Sequence, residues 1–174
     1  MTILGVCVAN DASGEHGSVF GTSSTDKTMR IWDPKQRYAV RKFTAKYGVN
    51  CCAMMPSGFG IMGGCDNASY EFWSVAANAQ VARGKVKKGR CESIAISASG
   101  RVCYTGWDNA FLGVADSYQP ESQKGLTPEN NRDMHKDCIC SLATAPDGSA
   151  LLTSSFDSNI KVWGAQDAAR VDRV

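Results

Sequence analysis

Ser155-Phe156-Asp157-Ser158-Asn159-Ile160-Lys161-Val162-Trp163, close to the end of the chain, repeats the punctuation of an earlier stretch that runs from Ser24 to Trp32. In both, a serine stands two residues before an aspartate and a tryptophan six residues after it, at Asp26/Trp32 and Asp157/Trp163. Two weaker copies lie between: Asp66 is followed six residues later by Phe72, and Asp108 by Val114. An aspartate between an apolar run and an alternating run suits a tight strand-to-strand turn, because its carboxylate accepts backbone hydrogen bonds from the residues just ahead.

The four turn aspartates, Asp26, Asp66, Asp108 and Asp157, are spaced by 40, 42 and 49 residues. That period fits the blades of a β-propeller and not helical repeats, whose apolar residues would recur at helical spacing. The expected fold is therefore all-β, an arc of four blades over residues 2–44, 48–87, 91–116 and 134–164 within a domain spanning 1–164. Alternating or short apolar runs predict strands at 3–9, 19–24, 28–32 and 38–43 in the first blade, and at 49–55, 61–64, 69–73 and 80–86 in the second. The third blade is expected to have strands at 92–97, 101–105 and 111–115, and the last at 138–145, 150–154 and 158–163, with no outer strand after it. Pro56-Ser57-Gly58 and Pro146-Asp147-Gly148 are turn chemistry, with no need of a phosphate ligand. Residues 117–133 are rich in Pro, Gln, Asn, Glu and Ser, which predicts a long mobile loop that replaces or extends the outer strand of that blade. A polar insertion at 10–17 carries His16, read as a solvated residue and not a ligand, and 165–174 form a polar tail.

Of the 174 residues 43% are hydrophobic and 21% charged, which suits a globular fold of one domain or two small ones. No apolar run approaches the roughly 20 residues that span a bilayer, and the apolar start lacks a basic region before it, so a cytoplasmic protein without a transmembrane segment or secretory signal is expected. The eight cysteines lie mostly in strand-like apolar runs, which makes them reduced, buried small hydrophobes. Cys138 and Cys140 share one strand face, but no C-x-x-C pair or second pair at zinc spacing exists, so neither a metal nor another cofactor is expected.

Trp32-Asp33 is an intact dipeptide of the WD-repeat family. Ser97-Ala98-Ser99-Gly100-Arg101, Gly106-Trp107-Asp108-Asn109, Phe156-Asp157-Ser158 and Lys161-Val162-Trp163 further make the chain resemble, over residues 2–164, the C-terminal four blades of the β subunit of heterotrimeric G proteins. The resemblance implies part of a seven-bladed propeller: a fragment or truncated gene product, an arc that another chain completes, or a ring that closes with four blades or as an eight-bladed dimer. It implies a hydrogen-bonded structural tetrad of His135, Ser155, Asp157 and Trp163. A catalytic reading of the Ser, His and Asp is set aside, because no G-x-S-x-G elbow is present and the serine recurs as scaffold at Ser24; no enzyme is expected.

The resemblance also implies binding of other proteins, with a G-protein α or γ subunit among the candidates, through Leu4, Asn50, Cys65, Trp107 and Phe156. Thr2, Gly48 and Cys65 stand where the family has acidic residues, and Leu4 and Phe156 where it has Met and Trp; Asn50 is kept. Each lost charge-assisted contact removes about 1.5–3 kcal/mol, so weak α-subunit binding is expected. A rival reading is ribosome or RNA association through Arg83, Lys85, Lys87, Lys88 and Arg90, five basic groups within eight residues. The net charge of +2 gives no general attraction to polyanions, and basic residues on an outer strand also keep its edge from pairing, so nucleic acid is the weaker expectation. A third is a structural subunit of a larger assembly.

Overall fold

A computed structural model describes residues 2–9, 19–126 and 133–164, and these form four antiparallel sheets with no helix among them. The polar insertion with His16, the tail at 165–174 and residues 127–132 lie outside the described residues. Blade one is β1 (Ile3–Val8), β2 (Phe20–Ser24), β3 (Thr28–Trp32) and β4 (Ala39–Thr44); blade two is β5 (Val49–Met54), β6 (Gly60–Cys65), β7 (Ser69–Ser74) and β8 (Ala79–Lys85). Blade three is β9 (Cys91–Ile96), β10 (Val102–Trp107), β11 (Leu112–Asp116) and β12 (Gln119–Leu126); blade four has three strands, β13 (Ile139–Thr144), β14 (Ala150–Ser155) and β15 (Ile160–Gly164). In each sheet the strands pair in chain order, so each blade is a meander.

The segment expected as a loop at 117–133 is instead a strand over its first half. Leu112 pairs with Leu126, Gly113 with Gly125 and Val114 with Lys124 across β11 and β12. Asp116 makes the turn, its carboxylate accepting the Tyr118 N–H at 2.9 Å, and the Tyr118 ring meets Phe72 of blade two edge-on at 6.0 Å. Polar side chains are compatible with such a strand because an outer strand satisfies its backbone against one neighbour and leaves its side chains in water.

Period-2 alternation places the core between blades. Cys52 and Met54 of β5 face blade one, with Met29, Ile31, Phe43 and Ile61. Cys51 and Ala53 face blade three, with Met62, Tyr70, Phe72, Ile94 and Trp107. A smaller cluster of Leu112, Met134, Ile139 and Leu151 joins blades three and four. Glycines in the sheets allow this closeness: a Cβ on Gly64 would lie 2.5 Å from Cys51 Sγ and 2.6 Å from Cys91 Sγ. The arc has bare apolar faces at both ends, with Leu4, Val6 and Val8 exposed on β1 and Leu152, Ile160 and Val162 on blade four. All eight cysteines are free thiols, six of them buried.

Candidate protein-interaction face

Blade four holds one continuous side-chain network. The Trp163 indole N–H donates to Thr153 Oγ1 at 3.0 Å, Thr153 Oγ1 lies 2.7 Å from His135 Nε2, and His135 Nδ1 lies 2.9 Å from Asp157 Oδ2. With the imidazole proton on Nδ1, each link has one donor and one acceptor. Asp157 also accepts the backbone N–H of Lys136 at 2.9 Å and of Asn159 at 3.0 Å. Burial opposes its charge, but those donors and the His135 ring together hold its carboxyl well below the usual carboxylate range.

Of the expected tetrad, His135, Asp157 and Trp163 are brought together and Ser155 is not. The Ser155 hydroxyl donates to the Asp137 carbonyl at 2.9 Å and accepts the Asp157 N–H at 3.2 Å. Thr153 takes its place because it lies mid-strand, one pleat closer to the tryptophan, whereas Ser155 closes the strand at the turn. Blade one repeats the arrangement: the Trp32 indole donates to Thr22 Oγ1 at 3.0 Å, and Ser24 Oγ accepts the Asp26 N–H at 3.2 Å.

The turn aspartates need a similar correction in the middle blades. All four carboxylates lie in β-turns, but strand register puts Asn67 and Asn109, not Asp66 and Asp108, in the column of Asp26 and Asp157. Asp26 Oδ1 accepts from the Thr28 N–H at 3.0 Å and the Thr28 hydroxyl at 2.6 Å. Asn67 Oδ1 accepts from the Ser69 hydroxyl at 2.7 Å, and Asn109 Oδ1 from the Phe111 N–H at 3.2 Å. The next residue has positive φ every time: Lys27 69°, Ala68 58°, Ala110 64° and Ser158 65°. Asp66 and Asp108 sit one place earlier, where Asp108 Oδ1 accepts the Arg90 N–H at 2.9 Å. In this register Trp73, not Phe72, matches Trp32, and Gly63 matches Thr22, so the buried Trp73 Nε1 has no hydrogen-bond partner among the described residues.

At the end of the sheets that carries the loops before each first strand and between each second and third, Thr25 N donates to the Thr2 carbonyl and Phe156 N to the Cys138 carbonyl, both at 3.1 Å. These bonds set exposed Leu4 and Phe156 on fixed backbone; Phe156 is 71% exposed. Half-buried Asn50 donates to the Cys91 carbonyl at 3.4 Å. Cys65 and Trp107, expected on the same face, are completely buried. Trp107 meets Tyr70 edge-on at 6.4 Å and gives its indole N–H to Thr105 Oγ1 at 2.8 Å, while burial pushes the Cys65 thiol up to about 12. Neither side chain reaches the surface.

The basic run is also divided. Arg83 lies opposite Glu71 across β7 and β8, its Nε 3.7 Å from the Glu71 carboxylate and its Nη2 3.1 Å from Ser69 Oγ. Arg90 pairs with Glu92 at 3.3 Å and Asp108 at 3.5 Å. Lys85, Lys87 and Lys88 remain exposed. Among the described residues, no group of three His, Cys, Asp or Glu side chains is placed to hold a metal ion, and no helix is long and apolar enough to cross a membrane.

The family described as "WD domain, G-beta repeat" matches residues 4–33 and 127–164. The guanine nucleotide-binding protein subunit beta of Arabidopsis thaliana is 32% identical over 166 residues, which cover 91% of this chain and 44% of the relative. The subunit of Oryza sativa subsp. japonica is 29% identical over 160 residues, covering 87% and 42%, and that of Zea mays 30% identical over 157 residues, covering 84% and 40%. The chain therefore spans less than half the length of these curated relatives. Two stretches of the chain match WD repeats, its four sheets form an arc of propeller blades, and over most of its own length it resembles the β subunits of G proteins.

Proposed function

We propose that the protein is a non-catalytic protein-interaction scaffold of the G-protein β type, acting in signal transduction. The observation that carries this reading is the likeness to β subunits over 91% of the chain, joined to a loop-bearing end that presents Leu4 and Phe156. An exposed aromatic on fixed backbone is the kind of anchor that dominates protein interfaces. The bare faces of blades one and four are sheet faces of the sort that blade two turns to its neighbours, which supports a further sheet covering them in a larger assembly.

Contact with a G-protein α subunit is weakened in this reading, because Thr2 and Gly48 offer no carboxylate and Cys65 is sealed. Submicromolar binding of a purified GDP-bound α subunit would overturn that part. RNA binding is less supported, since Arg83 and Arg90 are held by acidic neighbours and only three lysines are left to meet phosphates. A photo-cross-linking residue placed at Phe156, and separately at Lys87, distinguishes the readings in cells. Protein adducts at 156 without RNA adducts at 87 are expected; RNA adducts at 87 with none at 156 would refute the scaffold.

A further inference from the structure

The innermost strands of blades one and two, β1 and β5, lie side by side although they belong to different sheets. Gly5 makes this possible: a Cβ there would sit 2.6 Å from Ser23 Oγ and 3.2 Å from Cys51 Cα. Two residues further on, Cys7 Sγ donates to Cys52 Sγ at 3.3 Å. Both cysteines line a channel of about 690 Å³ whose wall also includes Ile94 of β9 and Leu142 of β13. Cys7 is half-buried, so this end of the pair is open to small solutes. Ser23 is wholly buried beside this pair, and its hydroxyl has no hydrogen-bond partner among the described residues.

We propose that Cys7 and Cys52 are a redox site, which hydrogen peroxide reaching the channel converts to a disulfide that staples blade one to blade two. The two thiols divide the work. The hydrogen bond from Cys7, opposed by burial and helped by Ser23, leaves Cys52 easier to ionise than an ordinary thiol, and the same contact with Cys52 makes Cys7 harder to ionise. Cys52 is thus the attacking thiolate and Cys7 the resolving thiol.

In the first step the Cys52 sulfur attacks one peroxide oxygen. The S–O bond forms as the O–O bond breaks, and the departing oxygen leaves as water, giving a sulfenic acid on Cys52. In the second, the Cys7 sulfur attacks the Cys52 sulfur. The S–S bond forms, the S–O bond breaks, and the hydroxyl leaves as water with the Cys7 proton. Two thiols lose two electrons and two protons, and one peroxide becomes two waters.

A second close pair provides the internal control. Cys51 and Cys91 have sulfurs 4.0 Å apart, but both are buried between blades two and three and neither lines the channel. Burial, with the hydrogen bond from Cys51, pushes the Cys91 thiol well up. That pair stays reduced while the first is oxidised.

The test is the full chain bearing Cys51→Ala, so that a linked peptide identifies its partner, treated with an equivalent of hydrogen peroxide and then alkylated, digested without reductant and mapped by mass spectrometry. A Cys7–Cys52 linked peptide is expected as the main product, with Cys65 and Cys91 alkylated once the chain is unfolded. Because the bridge closes a long loop, the oxidised chain should melt about 5–10 °C higher than the reduced one. In Cys7→Ser the link and the rise vanish, and dimedone traps a sulfenic acid on Cys52. Free thiols at both positions, or a linked chain melting no higher, would overturn the proposal. So would faster Cys51–Cys91 linkage in the unsubstituted chain.

Discussion

Blades two and four place equivalent residues in unlike surroundings. Met62, Tyr70 and Phe72 of blade two occupy the strand positions that Leu152, Ile160 and Val162 hold in blade four. The first three are at most 6% exposed, because blade three covers that face; the last three are 40%, 74% and 67% exposed. The polar network shows the reverse. Blade four has the complete chain from Trp163 through Thr153 and His135 to Asp157, whereas in blade two Gly63 replaces the threonine and the Trp73 indole is orphaned. A sheet covered on both faces is held by apolar burial and tolerates a lost hydrogen bond. A sheet with one bare face depends more on bonds inside its own plane.

The largest effect should come from truncating the covered face. Phe72→Ala is expected to cost about 3–5 kcal/mol and Met62→Ala about 2–5 kcal/mol by urea unfolding, since both leave cavities between packed sheets. The matching change in blade four, Val162→Ala, should stay within about 0.5 kcal/mol. Equal losses at the two places would break the comparison.

Next comes the network. Thr153→Val keeps the side-chain volume but strips partners from both His135 Nε2 and Trp163 Nε1, an expected loss of about 1–3 kcal/mol for buried groups left unsatisfied. Thr22→Val in blade one unpairs only the Trp32 indole, and its loss should be the smaller of the two. Supplying blade two with the missing hydroxyl by Gly63→Thr will not stabilise it, because the Met29 sulfur and Val49 stand where the new Cβ would go.

These positions also show how far the sequence could be followed. The blade period, Asp157 and Trp163 were legible because Asp26/Trp32 and Asp157/Trp163 repeat at fixed spacing, whereas His135 came only from the family resemblance. Thr153 was overlooked in favour of Ser155, although Thr22/Trp32 and Thr153/Trp163 share a ten-residue spacing that names the hydroxyl in both copies. In the middle blades Asp-Asn pairs offered two turn formers side by side, and only strand register selects the asparagine. β12 was hidden by its polarity, since hydrophobic alternation is weak on an outer strand. Its signal was another one: Phe111 lies over Gly125 just as Tyr70 lies over Gly84, fourteen residues apart in each blade. That Cys65 and Trp107 are buried follows from contacts between blades, which no single repeat encodes.

Acid should separate the two blades more gently. Asp157 titrates below its ordinary value of 3.8 when folded, so its contribution is whole above the usual carboxylate range and is lost as the pH falls through the lowered folded value. Asp157→Asn should therefore differ most from the parent above about pH 5, and the gap should close as the pH drops below the ordinary carboxylate value. Blade two has Asn67 in this column and adds no such acid limb; Asn67→Ala should give a difference that is flat with pH. A gap that widens in acid would contradict the role given to Asp157.

The smallest effect is expected where blade four is bare. Ile160→Thr with Val162→Thr removes apolar surface that water already reaches and keeps the β-branched shape that strands favour, so unfolding should shift by less than about 1 kcal/mol. This prediction also tests whether the face is free in solution. If another sheet covers it, the two side chains belong to an interface, and the double variant would lose 2 kcal/mol or more at high protein concentration and less on dilution, because association stabilises by mass action. A small loss that does not vary with concentration leaves the face open; a loss that fades on dilution would make blade four as covered as blade two and end the contrast between them.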